Sequence, residues 1–334
     1  MISREQRTTV GQPNALRRFL LSTERRRIVY AWCAAVLLFV IGNVVRPGFA
    51  SFESVQAVLV VASFVGMVAA GQTFVILIGG IDLSVPWILN GASILLVTSS
   101  LGQNNRAAFA IVLTLGMGAL VGFCNGIGVA LFGVPAVVMT LAMNGIMEGL
   151  TLGLSGGMTC ESCAAYAPPL VQAAVHEHFL GIPTALYLWV IVAGIVSVVL
   201  SLTTFGRSTY AIGNNARASY LAGIRVTATI VILYMLSGVF SALAGIMLVG
   251  FGGQAALGMG DPYLFQSIAA VVIGGVYILG GRGHYIGTVA GSISLVALIS
   301  VLMAMNMPEY GRSIIYGVII LVLLLLYGRE AGEQ

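Results

Sequence analysis

Apolar positions fall in long blocks along this chain, and polar positions gather between the blocks. A membrane helix needs about 20 mostly apolar residues. Ten segments meet or approach that length when polar interruptions at their ends are allowed: residues 28–45, 54–79, 85–101, 107–131, 134–155, 184–204, 226–250, 264–280, 285–305 and 312–328. The pattern predicts an all-α, polytopic integral membrane protein with about ten transmembrane helices. The spanning domain covers residues 28–328, between an N-terminal tail of residues 1–27 and a C-terminal tail of residues 329–334, both cytoplasmic.

An N-terminus inside and ten crossings give every loop a side, and the arginines test the assignment. Twelve fall inside, seven of them in the N-terminal tail, whereas Arg46, Arg106 and Arg312 fall outside. That bias follows the positive-inside rule. The basic stretch Arg25–Arg27 and the apolar run after it resemble a signal peptide, but the run is too long and lacks a small-residue cleavage site. It reads as a retained first span. Two connections are long enough to carry a function, an external loop over 156–183 and an internal one over 205–225.

Composition narrows the function. The 334 residues are 59% hydrophobic and 8% charged, with a mean hydropathy of +1.02, which no water-soluble fold could hide. All fifteen basic residues are arginine. A P-loop needs its lysine to reach the β and γ phosphates, so this chain is not itself a Walker-type ATPase, and a lysine Schiff base is excluded too. The net charge of +4 does not indicate a nucleic-acid partner, because the arginines are spread along the chain and cluster only at the N-terminus. Glycine, with 43 residues, suits helices that approach closely in lipid. Gly118, Gly122 and Gly126 share one face of the fourth span, and Ser237, Ser241 and Gly245 one face of the seventh; both faces read as packing within the subunit.

Ionisable groups inside the spans are almost absent, against an ion-coupled carrier, whose working parts such charges are. Asp82 precedes an apolar run as Asp-x-Ser and reads as a turn former or helix cap. Glu148 either snorkels to the external interface or faces a path beside Asn144. Gln72, Thr73, Asn90 and Asn125 are neutral hydrogen-bonding groups of the kind a small neutral polar solute would meet, with interhelical bonding as the alternative. Gln72, Asn125, Asn144 and Glu148 are the candidate path-lining residues. In the external loop Cys160 and Cys163 read as a disulfide, with free thiols as the alternative. His176 and His178 follow, but a Cys-x2-Cys, His-x-His order lacks zinc-ligand spacing. No metal and no cofactor is expected.

The internal loop, GRSTYAIGNNARASYLAGIRV from Gly206 to Val226, carries helix signals. Asn214 or Asn215 can cap a short helix that Gly223 ends, with Ala216, Ala218 and Ala222 as small residues for close docking. Together with GGIDLS at 79–84, Asn125-Gly126, Val134-Pro135, Thr140-Leu141, SGVFSALAGI at 237–246 and IAAVVIGGVYILGGRG at 268–283, this loop makes the chain resemble the permeases of ribose-type ABC importers from about Phe52 onward. Where similar permeases often carry acidic residues, this chain has Leu264 and Gln266. The resemblance implies a bacterial inner-membrane permease for a sugar or sugar-like solute, acting as one of two subunits whose path lies near their interface. Its partners would be a periplasmic solute-binding protein and a separate cytoplasmic ABC ATPase, contacted through a coupling helix that involves Gly213, Asn214, Asn215, Arg217, Leu221 and Gly223. Two rivals remain: a branched-chain amino-acid permease and, from another class, an ion-coupled secondary transporter. A membrane enzyme is remote, since the chain has no H-E-x-x-H, G-x-S-x-G or comparable set.

A weak echo links IGGIDLSVPWILNGAS (78–93) with LGGRGHYIGTVAGS (279–292), each placed between two spans.

Overall fold

The computed structural model describes residues 23–157, 166–315, 317–318 and 321–322. Its helices are α1 (Thr23–Val45), α2 (Phe52–Leu77), α3 (Val85–Ser100), α4 (Asn104–Ala130), α5 (Ala136–Ser155), α6 (Pro169–His176), α7 (Thr184–Leu202), α8 (Thr204–Asn214), α9 (Ala216–Leu221), α10 (Val226–Gly252), α11 (Asp261–Ile273) and α12 (Tyr285–Ala304). A small antiparallel hairpin, β1 (His178–Phe179) with β2 (Ile182–Pro183), follows α6.

Seven helices among the described residues, α1, α2, α4, α5, α7, α10 and α12, are long and apolar enough to cross a membrane. Helices α3 and α11 have 16 and 13 residues. At 1.5 Å per residue they reach about 24 and about 20 Å, short of the ~30 Å hydrocarbon core. The expected span 264–280 is thus helical over only part of its length. Its apolar run continues, but the backbone leaves the helix at Gly274 and Gly275, the latter at φ +85°, where only glycine is unstrained. Residues 309–315 are helical, and most of the expected tenth span, 312–328, lies outside the described residues. A count of ten is therefore not reached among the described residues.

Both long loops are more structured than their composition suggests. The loop expected outside, 156–183, holds α6 and the hairpin, and the first half of the loop expected inside, 205–225, is the helix α8.

Helix α10 stands at the centre, against α2, α3 and α4. Its contact with α4 is made at the backbone. A Cβ on Gly118 would lie 2.5 Å from Gly238 O, one on Gly126 2.6 Å from Val231 Cα, and one on Gly122 2.7 Å from Met235 Cα and closer still to Tyr234 O. On its other faces α10 meets Gly71 of α2 at Ser237 and receives Leu89 O of α3 against Gly245. The glycine and serine faces thus pack within the subunit. Elsewhere Tyr285 OH on α12 donates to Gly66 O of α2 at 2.7 Å, and Trp189 Nε1 of α7 donates to that hydroxyl at 3.1 Å.

Loops gather at two ends. At one end Gly281 N donates to Leu77 O at 2.8 Å, and Gly213 lies against both. The two echoing segments, 78–93 and 279–292, are therefore neighbours in space. At the other end Gln56 Nε2 donates to Gly181 O at 2.6 Å, and Leu170 N to Asn104 Oδ1 at 2.8 Å.

Replacing Gly122 with valine should lower the thermal midpoint of the detergent-purified protein, because two backbones must separate to admit the side chain. Overpacking of this kind costs about 1–3 kcal/mol or more. Gly116→Val serves as the control: a Cβ at Gly116 meets nothing within 4 Å, and the midpoint should stay near that of the parent.

Candidate functional site

The end that carries Leu77 and Gly281 presents a short projecting helix. Thr203 caps α8, its Oγ1 accepting from Gly206 N at 3.1 Å, and Asn215 caps α9, its Oδ1 accepting from Ala218 N at 2.9 Å. After α9, Ile224 N donates to Ser219 O and Gly223 N to Tyr220 O, each at 3.0 Å, with Gly223 at φ +84°. This glycine-closed exit satisfies the last carbonyls of a helix too short to hold itself. Leu221 and Tyr220 are 79% and 70% exposed. Arg217, Ala216, Ala218 and Ala222 are exposed too, while Ser219 faces inward. Tyr220 was not singled out from sequence, although it is the aromatic residue in a stretch of small ones.

Gly213 and Asn214 face the body of the protein. No Cβ would fit at Gly213 between Leu77 O and Gly281 N. Asn214 Nδ2 donates to Tyr210 O at 2.8 Å and to Gly281 O at 3.3 Å, and Tyr210 OH donates to Gly283 O at 2.8 Å. The six residues of the coupling set thus divide: Gly213 and Asn214 seat α8, Asn215 and Gly223 bound α9, and Arg217 and Leu221 are presented outward.

Beyond Leu77 the chain turns at Gly79, at φ +79°, and runs without helical structure to Ser84. This segment re-enters the protein, since Asp82 reaches Ser237, the α10 residue that packs on Gly71, about 9 Å along α2 from Leu77. Asp82 is fully buried. Its Oδ1 accepts from Ser84 N at 3.0 Å and Ser84 Oγ at 2.5 Å, and its Oδ2 accepts from Ser237 Oγ at 2.7 Å. Asn125 Nδ2 of α4 donates to Ser84 Oγ at 2.8 Å. From α5, Thr140 Oγ1 accepts from Leu83 N at 2.9 Å and lies 3.2 Å from Ile81 O, to which it donates. Asp82 is the turn former its Asp-x-Ser context indicates, and it also ties the break to α10. Irregular backbone at membrane depth is tolerated where the protein pairs it, as here.

Gln72 and Asn125, expected beside a path, have no exposed surface in this structure. Asn144 and Glu148 are half-buried on α5, at the edge of a face that the subunit leaves uncovered. On that face a Cβ at Gly145, Gly149 or Gly153 would meet nothing within 4 Å, and Leu141 and Ile146 are 57% and 53% exposed. Cys160 and Cys163 lie outside the described residues. His176 donates through Nε2–H to Phe251 O at 2.9 Å and stacks on the Phe251 ring, and His178 is exposed in the hairpin.

Residues 54–323 match the family described as the branched-chain amino acid transport system / permease component. The chain belongs to this permease family. The permease is 33% identical over 306 residues to the autoinducer 2 import system permease protein LsrC of Escherichia coli (strain K12 / DH10B), covering 92% of this chain and 88% of that one. It is 33% identical over 320 residues to the ribose import permease protein RbsC of Bacillus subtilis, covering 93% and 98%, and 32% identical over 311 residues to RbsC of Haemophilus influenzae, covering 92% and 93%. No solved structure matches the permease.

The network around Asp82 predicts an order of stabilities. Asp82→Ala removes the acceptor of three hydrogen bonds and leaves buried hydroxyls unpaired, at about 1–3 kcal/mol for each group so stranded. Ser237→Ala removes one donor only. Thermal unfolding of the purified permease should show the larger fall for Asp82→Ala.

Proposed function

We propose that this permease is one of two membrane subunits of an ATP-driven, binding-protein-dependent importer for a neutral sugar or sugar-like solute, in the inner membrane with both termini cytoplasmic. The observation that carries the reading is similarity along nearly the full chain to ribose and autoinducer 2 import permeases, joined to a capped α9 that projects from the end holding the helix breaks. In this reading α9 docks on a separate ABC ATPase. Leu221 and Tyr220 give it apolar anchors, and Arg217 a charge for an acidic rim. A periplasmic binding protein delivers the solute at the opposite end.

The uncovered face of α5 supports the paired arrangement. Three glycines with no neighbour and a half-buried Glu148 are poor partners for acyl chains, since an ionisable group in a span is costly unless it meets protein or a water-filled cavity. A second permease subunit against this face would cover the glycines and set Asn144 and Glu148 beside the path. The path-lining proposal therefore rests on these two. Gln72 and Asn125 are fully buried in the single subunit, where Asn125 bonds Ser84 and the amide of Gln72 has no partner among the described residues. No covalent chemistry is assigned to this chain.

The description of the family keeps branched-chain amino acids as a second reading. Purified importer in proteoliposomes, loaded with ATP and offered labelled ribose, autoinducer 2 and leucine in turn, separates them: uptake of leucine alone would overturn the sugar assignment, and uptake without the ATPase subunit would overturn the ATP-driven class.

Leu221→Asp should abolish uptake and binding-protein-stimulated ATP hydrolysis together, while the permease still inserts and the binding protein still holds its solute. Gly223→Val should do the same by straining the exit of α9, because a β-branched residue resists positive φ even though the site has room. Normal transport with an attached ATPase in Leu221→Asp would overturn the coupling role.

A further inference from the structure

A continuous chain of hydrogen bonds and backbone contacts runs from α9 to α5, and it enters α5 at the hydroxyl of Thr140. Asn215 caps α9, and the preceding residues, Gly213 and Asn214, are wedged on Leu77 O and Gly281. Leu77 is the last residue of α2, and the break at 78–84 begins there. Glycine at 79 lets the turn lie flat against the 279–281 segment, since a Cβ there would sit 3.2 Å from Leu279 O. Within the extended stretch beyond it only Ser84 is bonded, to Asp82. The stretch bonds sideways to Thr140, which is fully buried in the first turns of α5. There Oγ1 accepts from Leu83 N at 2.9 Å and shares its own proton between Ile81 O at 3.2 Å and Ala136 O at 2.9 Å. One turn further along α5 is Asn144, and a turn beyond that Glu148.

We propose that Thr140 is the positioning residue that joins the 78–84 break to α5, so that a displacement of α8–α9 by the ATPase reaches the face bearing Asn144 and Glu148. This rests on the coupling role assigned to α9 and adds how that motion arrives at the path. The break suits the task. An α-helix bends or slides as a unit, whereas a short extended segment held at both ends moves α3 and α5 with it. Asp82 and Ser84 hold the same segment to α10 and α4, and beside the apolar packing of Met143 and Met147 on Trp87 and Ile88 the hydroxyl of Thr140 is the polar joint through which α5 follows the break.

The test uses the full importer, with ATPase and binding protein, in proteoliposomes, and reads ATP hydrolysed per labelled ribose taken up, or per autoinducer 2 where ribose is not carried. Thr140→Val keeps the shape and removes the hydroxyl. It should leave assembly and stimulated hydrolysis near the parent level while uptake falls about tenfold, the scale set by losing a pair of buried hydrogen bonds, so that the ATP-to-solute ratio rises by the same factor. Thr140→Ser, which restores the hydroxyl, should return the ratio to the parent value. An equal loss of hydrolysis and uptake, or no change in either, would overturn the joint. A second measurement needs neither a variant nor a transported solute. Exchange of the Leu83 amide should be equally slow in the nucleotide-free complex and in the complex trapped with ATP and vanadate, and faster exchange in either state would overturn a joint that holds through the cycle. Parent protein that takes up neither solute would count against the importer reading, while the exchange result would still decide the joint.

Discussion

Backbone N–H and C=O groups at membrane depth find no water, and in this protein that constraint bears hardest on two helices that stop short. Helix α3 begins only after the extended 78–84 segment, and α11 gives way at Gly274–Gly275. Each break frees backbone polar groups that need partners within the protein wherever water is excluded. The protein answers by pairing the breaks with each other and with side chains: Gly281 N with Leu77 O, Leu83 N with Thr140, and Ser84 N with Asp82. With the bonds of Ser237 and Asn125 to the same segment, these pairs tie together α2, α4, α5 and α10.

Close helix contact supplies the frame that holds those bonds in register. At the α4–α10 seam the two backbones approach through Gly118, Gly122, Gly126 and Gly238, which places Asn125 and Ser237 on either side of the break. A wider seam would carry Ser237 Oγ away from Asp82. Small residues in the spans therefore do more than reduce interhelical distance: they set the depth at which a polar contact can form between residues 155 positions apart in sequence.

Much of this was legible in the chain. Long apolar blocks located the spans, because hydropathy reports burial in lipid directly. Asn215 and Gly223 marked both ends of α9, because caps are local chemistry. Hydropathy could not reveal where α11 stops, since Val276, Tyr277, Ile278 and Leu279 are as apolar as the helix before them and only the glycines around them alter the backbone. Helix α8 was hidden by polar and small residues that favour no state strongly. Gln72 and Asn125 showed their polarity in the sequence but not their direction. For Asn125 a partner 41 positions away, Ser84, fixes that direction, and no local pattern encodes it. Thr140 stood within a stretch that resembled the family, yet its bond to the break needed coordinates.

The bare face of α5 has a consequence for the cell as well as for transport. A subunit alone in the bilayer would hold Glu148 and three glycine backbones against acyl chains, and that cost would disappear on pairing. In the proposed pairing the unpaired subunit is the less stable form in lipid, so assembly with a partner would itself protect the permease.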